Sequence, residues 1–138
     1  MPNGIDLILA DHRMVDALFS SFASTSDGTL IGQIVDALTA HDAAEQAALY
    51  PVAAEVLADG PLLVRSAEAH SAVKRQIAHL VDLEGPPLVD AVARLQELVE
   101  AHVADEEKHL LPALAEAATA QQLDSLGARI LQAKQRGG

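Results

Sequence analysis

Cysteine is absent from the 138 residues, and the aromatic side chains are only Phe19, Phe22 and Tyr50. Without cysteine there are no disulfides, no thiolate nucleophile and no sulfur-ligated zinc or iron–sulfur cluster, so any metal must be held by nitrogen and oxygen. With so few aromatics the core has to be built from Leu, Val, Ile and Ala, a mixture that favours helices over strands. Basic residues are also scarce: nine Lys and Arg face twenty Asp and Glu, for a formal charge of -11. They are scattered and form no stripe, which argues against nucleic acid and against an anionic membrane surface as partners. Long apolar runs are missing too. The opening MPNGIDLILADHR carries no basic leader and is broken by Asp11 and His12, so a cytoplasmic protein is the expectation.

A chain of this length suits one domain with one shared interior. Apolar residues recur at steps of three and four from Ile5 through Ile8, Val15, Phe19 and Phe22, the seam of an amphipathic helix. Equivalent stripes start at Ile31, Leu63 and Leu88, separated by STSDG, Asp59-Gly60-Pro61 and Gly85-Pro86-Pro87. The pattern predicts an all-α fold, an antiparallel up-down-up-down four-helix bundle with helices near 4–23, 30–58, 62–84 and 87–117. Thr119-x-x-Gln122 is a capping-box pattern and predicts a short fifth helix near 120–134, followed by a frayed KQRGG tail. Pro51 and Pro112 should kink their helices or break the last turn.

Each apolar stripe is interrupted by a histidine: His12, His41, His70 and His102. Glu45 and Glu106 follow the second and fourth of these at i+4, one turn along the same face. Buried carboxylates without partners cost several kcal/mol each, and Lys74 is the one cation near these stripes. Metal ions between the helices would satisfy all six groups. Imidazole and carboxylate together suit iron, manganese or zinc, and a carboxylate can bridge two ions. The order His, His-x-x-x-Glu, His, His-x-x-x-Glu is what a dinuclear centre with pseudo-twofold symmetry requires.

In this ordered set, carried by DHRMVDALF, HDAAEQAALYP, EAHSAVKRQIAHL and HVADEEKHLLPAL, the chain resembles the hemerythrin-like (HHE cation-binding) family over nearly its whole length. The resemblance implies two iron ions, oxo- or hydroxo-bridged, with His12, His41, His70 and His102 as nitrogen ligands and Glu45 and Glu106 as bridging carboxylates. It departs from the oxygen carriers at two points. Lys74 stands where they have a further histidine, and the last motif is His-x-x-x-Glu instead of His-x-x-x-x-Asp. Both changes weigh against oxygen transport. Glu107 lies about 140° around the helix from His102 and is the weaker candidate for that carboxylate.

Around this set, His109 is expected to be partly exposed, His79 solvated and Lys74 turned outward, while Tyr50 is placed off the ligand face. No phosphate loop, HExxH or nucleophile elbow is found, so no catalytic residue is expected beyond the metal centre. The expected function is binding or reduction of dioxygen, peroxide or nitric oxide by a monomer, in sensing or detoxification, with apolar walls of Val15, Phe19, Leu38, Val73, Ile77 and Val99 that admit diatomics and little else. Iron storage without catalysis and a metal-free helical interaction module stand as the alternatives.

Overall fold

The computed structural model describes residues 3–137, with side chains described as far as Gln135. Helix α1 is Gly4–Thr25. Helix α2 spans residues 29–56, as Thr29–Ala44, a π turn Glu45–Leu49 and Tyr50–Val56. Helix α3 is Gly60–Leu80. Helix α4 spans 85–117 with its own π turn, Glu106–Leu110, and α5 is Ala120–Gly137.

Local chemistry explains the boundaries. Asn3 and Asp6 form a capping box that starts α1: each side chain accepts the other's backbone N–H at 3.1 Å. Ser26, with φ 55, closes the same helix in the left-handed conformation. Asp59 accepts from Leu62 N at 3.0 Å ahead of α3. The predicted box before α5 is present, with Gln122 Oε1 accepting from Thr119 N at 2.8 Å and Thr119 Oγ1 accepting from Gln122 N at 3.1 Å.

Two expectations need correction. The third helix ends at Leu80, not near residue 84, because the turn that follows folds Leu83 back against the core. The fifth helix continues through the expected frayed tail to Gly137, and Gly138 lies outside the described residues.

Neither proline ends its helix, and in both cases the chain runs on through a π turn. Tyr50 N–H donates to the Glu45 carbonyl and Leu111 N–H to the Glu106 carbonyl, five residues back in each case. In a regular α-helix Pro51 would supply no N–H to the Ala47 carbonyl, and its ring would strike that oxygen. A single widened turn removes the collision and lets the helix go on.

The bundle buries two apolar layers with a polar layer between them. One layer joins Ile8, Ala48, Leu49, Leu62, Leu110 and Leu114, together with Leu126 and Ile130 of α5. The other joins Val15, Phe19, Leu38, Leu80, Leu95 and Val99. Along α1 and α3 the chain passes from the first layer to the second, whereas along α2 and α4 it passes the other way. That alternation makes the four helices antiparallel. No helix among the described residues is long and apolar enough to cross a membrane.

Candidate metal centre

His12, His41, Glu45, His70, His102 and Glu106 all lie in the layer between the two apolar clusters, each under one-tenth exposed. Both glutamates are 1% exposed. The six resolve into two overlapping quartets, His12–His41–Glu45–Glu106 and Glu45–His70–His102–Glu106, whose ligand atoms lie within 4.8 Å of one another. Both carboxylates belong to both quartets.

The oxygen-by-oxygen geometry is orderly. Glu45 turns Oε2 to His41 Nε2 at 3.2 Å and Oε1 to His70 Nε2 at 2.7 Å. Glu106 turns Oε1 to His12 Nε2 at 3.1 Å and Oε2 to His102 Nε2 at 3.1 Å. Each carboxylate therefore offers one oxygen to each quartet, the disposition a bridging ligand needs.

Three of the imidazoles are oriented from behind. His12 Nδ1 lies 2.7 Å from Glu107 Oε2, His41 Nδ1 lies 3.1 Å from Asp11 Oδ2, and His70 Nδ1 is hydrogen-bonded to Asp42 Oδ1. A carboxylate behind Nδ1 favours the tautomer with its proton there, leaving the Nε2 lone pair to face the centre. Each brace comes from a neighbouring helix: α1 holds the α2 histidine, α2 holds the α3 histidine, and α4 holds the α1 histidine. Among the described residues, His102 alone has a buried Nδ1 with no hydrogen-bond partner.

These braces were not singled out in the sequence as braces. Asp11, Asp42 and Glu107 sit directly beside ligand positions in the chain, but each serves a histidine on another helix, a pairing that helical periodicity does not encode. Glu107 does not replace Glu106. Its side chain is 40% exposed and reaches sideways to His12.

Tyr50 is also corrected. It donates from its hydroxyl to Glu45 Oε1 at 3.4 Å and meets the His70 ring edge-on with centroids 5.1 Å apart. The π turn is the reason, because five residues complete its turn and Tyr50 comes to lie over Glu45. Burial and the neighbouring carboxylates push the phenol well above its ordinary range, so it stays a donor. Lys74 is 65% exposed, as expected of an outward lysine, yet its Nζ lies 3.5 Å from Asp42 Oδ2. His109 is 56% exposed, and His79 is exposed.

The layer calls for positive charge at its middle. Burial lowers the His41 pKa, but Glu45, Asp11 and Glu106 outweigh it and push the imidazole up to about 10. For His102 burial is again outweighed, here by Glu106 and Glu45, and the pKa rises to about 9. Glu45 is raised by burial and drawn down more strongly by His41, His102 and His70, ending well below its ordinary value. Protons on His41 and His102 can thus supply charge that cations would otherwise bring.

Those protons leave the polar groups poorly served. His12 Nε2, His41 Nε2, Glu45 Oε2, His102 Nε2 and both Glu106 oxygens are buried, close to one another and without hydrogen-bond alignment. Buried polar atoms are normally satisfied. Four imidazole nitrogens and four carboxylate oxygens converging in this way fit a pair of borderline cations, so the residues present suit the ions that the sequence implies.

A cavity of about 220 Å³ opens on the histidine side of the layer. Val15, Leu38, Val73, Ile77 and Val99 make its walls and His12, His41, His70 and His102 its floor, with Lys74, Thr39 and Asp42 also lining it. The six predicted wall residues include Phe19, which instead lines a separate pocket between α1 and α4. At this volume the cavity exceeds the room for diatomics foreseen from the sequence.

A helical bundle with a buried layer of histidines and glutamates arranged around two shared-carboxylate positions is a cation-binding protein. The hemerythrin HHE cation binding domain profile matches residues 3–114, and the chain belongs to that family. Across 99% of the chain and 88% of the other, the fold superposes on the crystal structure of a hemerythrin HHE cation binding domain-containing protein from Mycobacterium kansasii, with TM-score 0.85 and 21% identity. The chain is also 29% identical over 137 residues to a protein named DNA nickase from Nostoc sp. (strain PCC 7120 / SAG 25.82 / UTEX 2576). That match takes in 95% of the chain but only 39% of the relative's length.

Proposed function

We propose that the chain holds two iron ions and uses them to bind or reduce small oxidants, dioxygen, peroxide or nitric oxide, in sensing or detoxification in the cytoplasm. The observation that carries this reading is the division of each carboxylate between the two quartets, with one oxygen turned to each. A single-ion site would not use both oxygens of both glutamates in this way.

A bound iron pair supplies electrons to an oxidant and can give them one or two at a time. The residues of the chain do the remaining work. His12 and His41 hold one position and His70 and His102 the other, while Asp11, Asp42 and Glu107 keep three of the rings turned inward. The cavity on the histidine side gives an oxidant its approach, and its apolar walls keep bulk water sparse there. On the opposite side Tyr50 keeps a proton one hydrogen bond from Glu45.

Nicking of DNA, the activity in the Nostoc relative's name, is not favoured for this chain, whose charge of -11 opposes approach to phosphates. Reversible iron buffering is the second reading, favoured by the absence of the extra histidine at Lys74.

The test is elemental analysis of protein made with iron supplied, followed by additions of peroxide and nitric oxide. Two irons per chain and catalytic consumption of either oxidant are expected. Two irons without turnover would leave the buffering or sensing role standing, and one zinc or no metal would overturn the proposal.

A further inference from the structure

The family profile ends at residue 114, yet α5, residues 120–137, packs against α1, α2 and the first π turn. Leu126 and Ile130 are 0% and 1% exposed. The approach to α1 is close enough that a Cβ on Gly4 would lie 2.3 Å from Leu126 Cγ, so α5 rests on bare backbone. Two of its cations then reach the neighbouring helices beside the candidate ligands, Lys134 on α1 and Arg129 on α2.

Lys134 Nζ pairs with Asp11 Oδ1, while the other oxygen of Asp11 faces His41 Nδ1 at 3.1 Å. Asp11 is 7% exposed. Burial raises its pKa, but His41 and Lys134 outweigh burial and keep it a carboxylate. Arg129 donates from Nη2 to the Ala47 carbonyl at 3.3 Å. That carbonyl is the one Pro51 leaves without an α-helical partner, and it lies inside the π turn that begins at Glu45.

The other braces are arranged differently. Asp42, behind His70, is approached by the largely exposed Lys74 of α3 at 3.5 Å, and Glu107, behind His12, is 40% exposed. Among the described residues, only His41 is held through a buried carboxylate clamped by the fifth helix.

We propose that α5 is a working part of the metal centre, with Lys134 acting through Asp11 as a positioning residue for His41, and Arg129 fixing the turn that carries Glu45. This rests on the two-ion reading above. The dependence on Lys134 falls on the position held by His12 and His41 and spares the one held by His70 and His102, because no described side chain of α5 reaches Asp42, the brace behind His70.

The experiment is anaerobic Fe(II) loading of the full chain, with release followed by competition against a coloured chelator. Lys134→Met should weaken one of the two ions by about tenfold to a hundredfold, the range of outer-partner substitutions, and leave the other within about threefold. Lys134→Arg should restore it. Arg129→Gln should loosen the turn beneath Glu45, whose oxygens face both positions, and weaken both ions by a smaller factor, and Lys134→Gln serves if Lys134→Met does not fold. Two ions released alike in Lys134→Met and wild type, or both weakened equally, would overturn the role of α5 while leaving the two-ion reading intact. A wild type that takes up fewer than two ions would bring down that reading and this proposal together.

Discussion

His41-x-x-x-Glu45 and His102-x-x-x-Glu106 have the same spacing, the same π turn and a proline six residues after the glutamate, yet they are not equally supported. His41 has Asp11 behind it and Lys134 behind Asp11. His102 Nδ1 is buried with no described residue behind it. Five residues after Glu45 comes Tyr50, with a hydroxyl aimed at the carboxylate, whereas five after Glu106 comes Leu111, an apolar core residue. A symmetric set of candidate ligands therefore sits within an asymmetric set of supports. The repeat specifies which atoms meet, and the surroundings differentiate the two positions.

The largest effect is expected where the halves are still alike. Glu45→Ala and Glu106→Ala should each cost both ions, since each carboxylate has an oxygen at both positions, with a loss in affinity above the roughly hundredfold ceiling of outer-partner changes. Release of a single ion, measured by equilibrium dialysis with elemental analysis, would show that the carboxylates do not bridge. Removing metal from the iron-loaded wild type should lower its melting temperature, by a stability change of about 3 kcal/mol at free iron roughly a hundred times the dissociation constant.

Next comes a contrast between braces. Asp11→Asn should weaken the His12–His41 position and Asp42→Asn the His70–His102 position, each by about tenfold or more, in the same chelator competition. If both substitutions weakened the same ion, the assignment of histidines to the two positions would be wrong.

The metal-free protein should show a pH dependence of its own. His41 and His102 rise from an unfolded value near 6.5 to about 10 and about 9. A raised pKa contributes stability that is complete below about pH 6.5 and is lost as pH climbs through about 9 to 10. Glu45 is depressed, so its contribution is present above its unfolded value and is lost as pH falls through its folded one. Thermal melts of apoprotein across pH 5 to 11 should therefore decline on the alkaline side, and iron-loaded protein should lack that decline because ions replace the protons.

The smallest effect belongs to Tyr50. At 3.4 Å its hydrogen bond is long, so Tyr50→Phe should cost less than about 1 kcal/mol in a denaturant melt and leave both ions bound. A loss of iron in this variant would give the phenol a larger share in holding the centre than its geometry indicates.

The bundle and the meeting of its six inward-facing polar side chains were legible in the sequence because both follow from helical phase. Residues three and four apart share a face, so His41 and Glu45 had to point together, and a polar position on every stripe had to meet at one level. Phase fails where the helix changes its pitch. Tyr50 was misplaced because five α-helical steps carry a residue well away from its start, while a π turn brings it back. Braces such as Asp42 were hidden for a different reason: their partners lie on other helices, and only assembly of the bundle brings them within reach.

A π turn holds one residue more than the α-helical path it replaces. The bundle therefore carries two surplus residues, one just after each glutamate and upstream of a proline. Excising one from residues 45–49, with Pro51 exchanged for a residue that has an N–H, would let α2 continue as unbroken α-helix and keep the apolar packing beyond it in phase, while Glu45 lost the turn that follows it. The length of chain that builds the scaffold and the length that shapes the site can thus be edited separately.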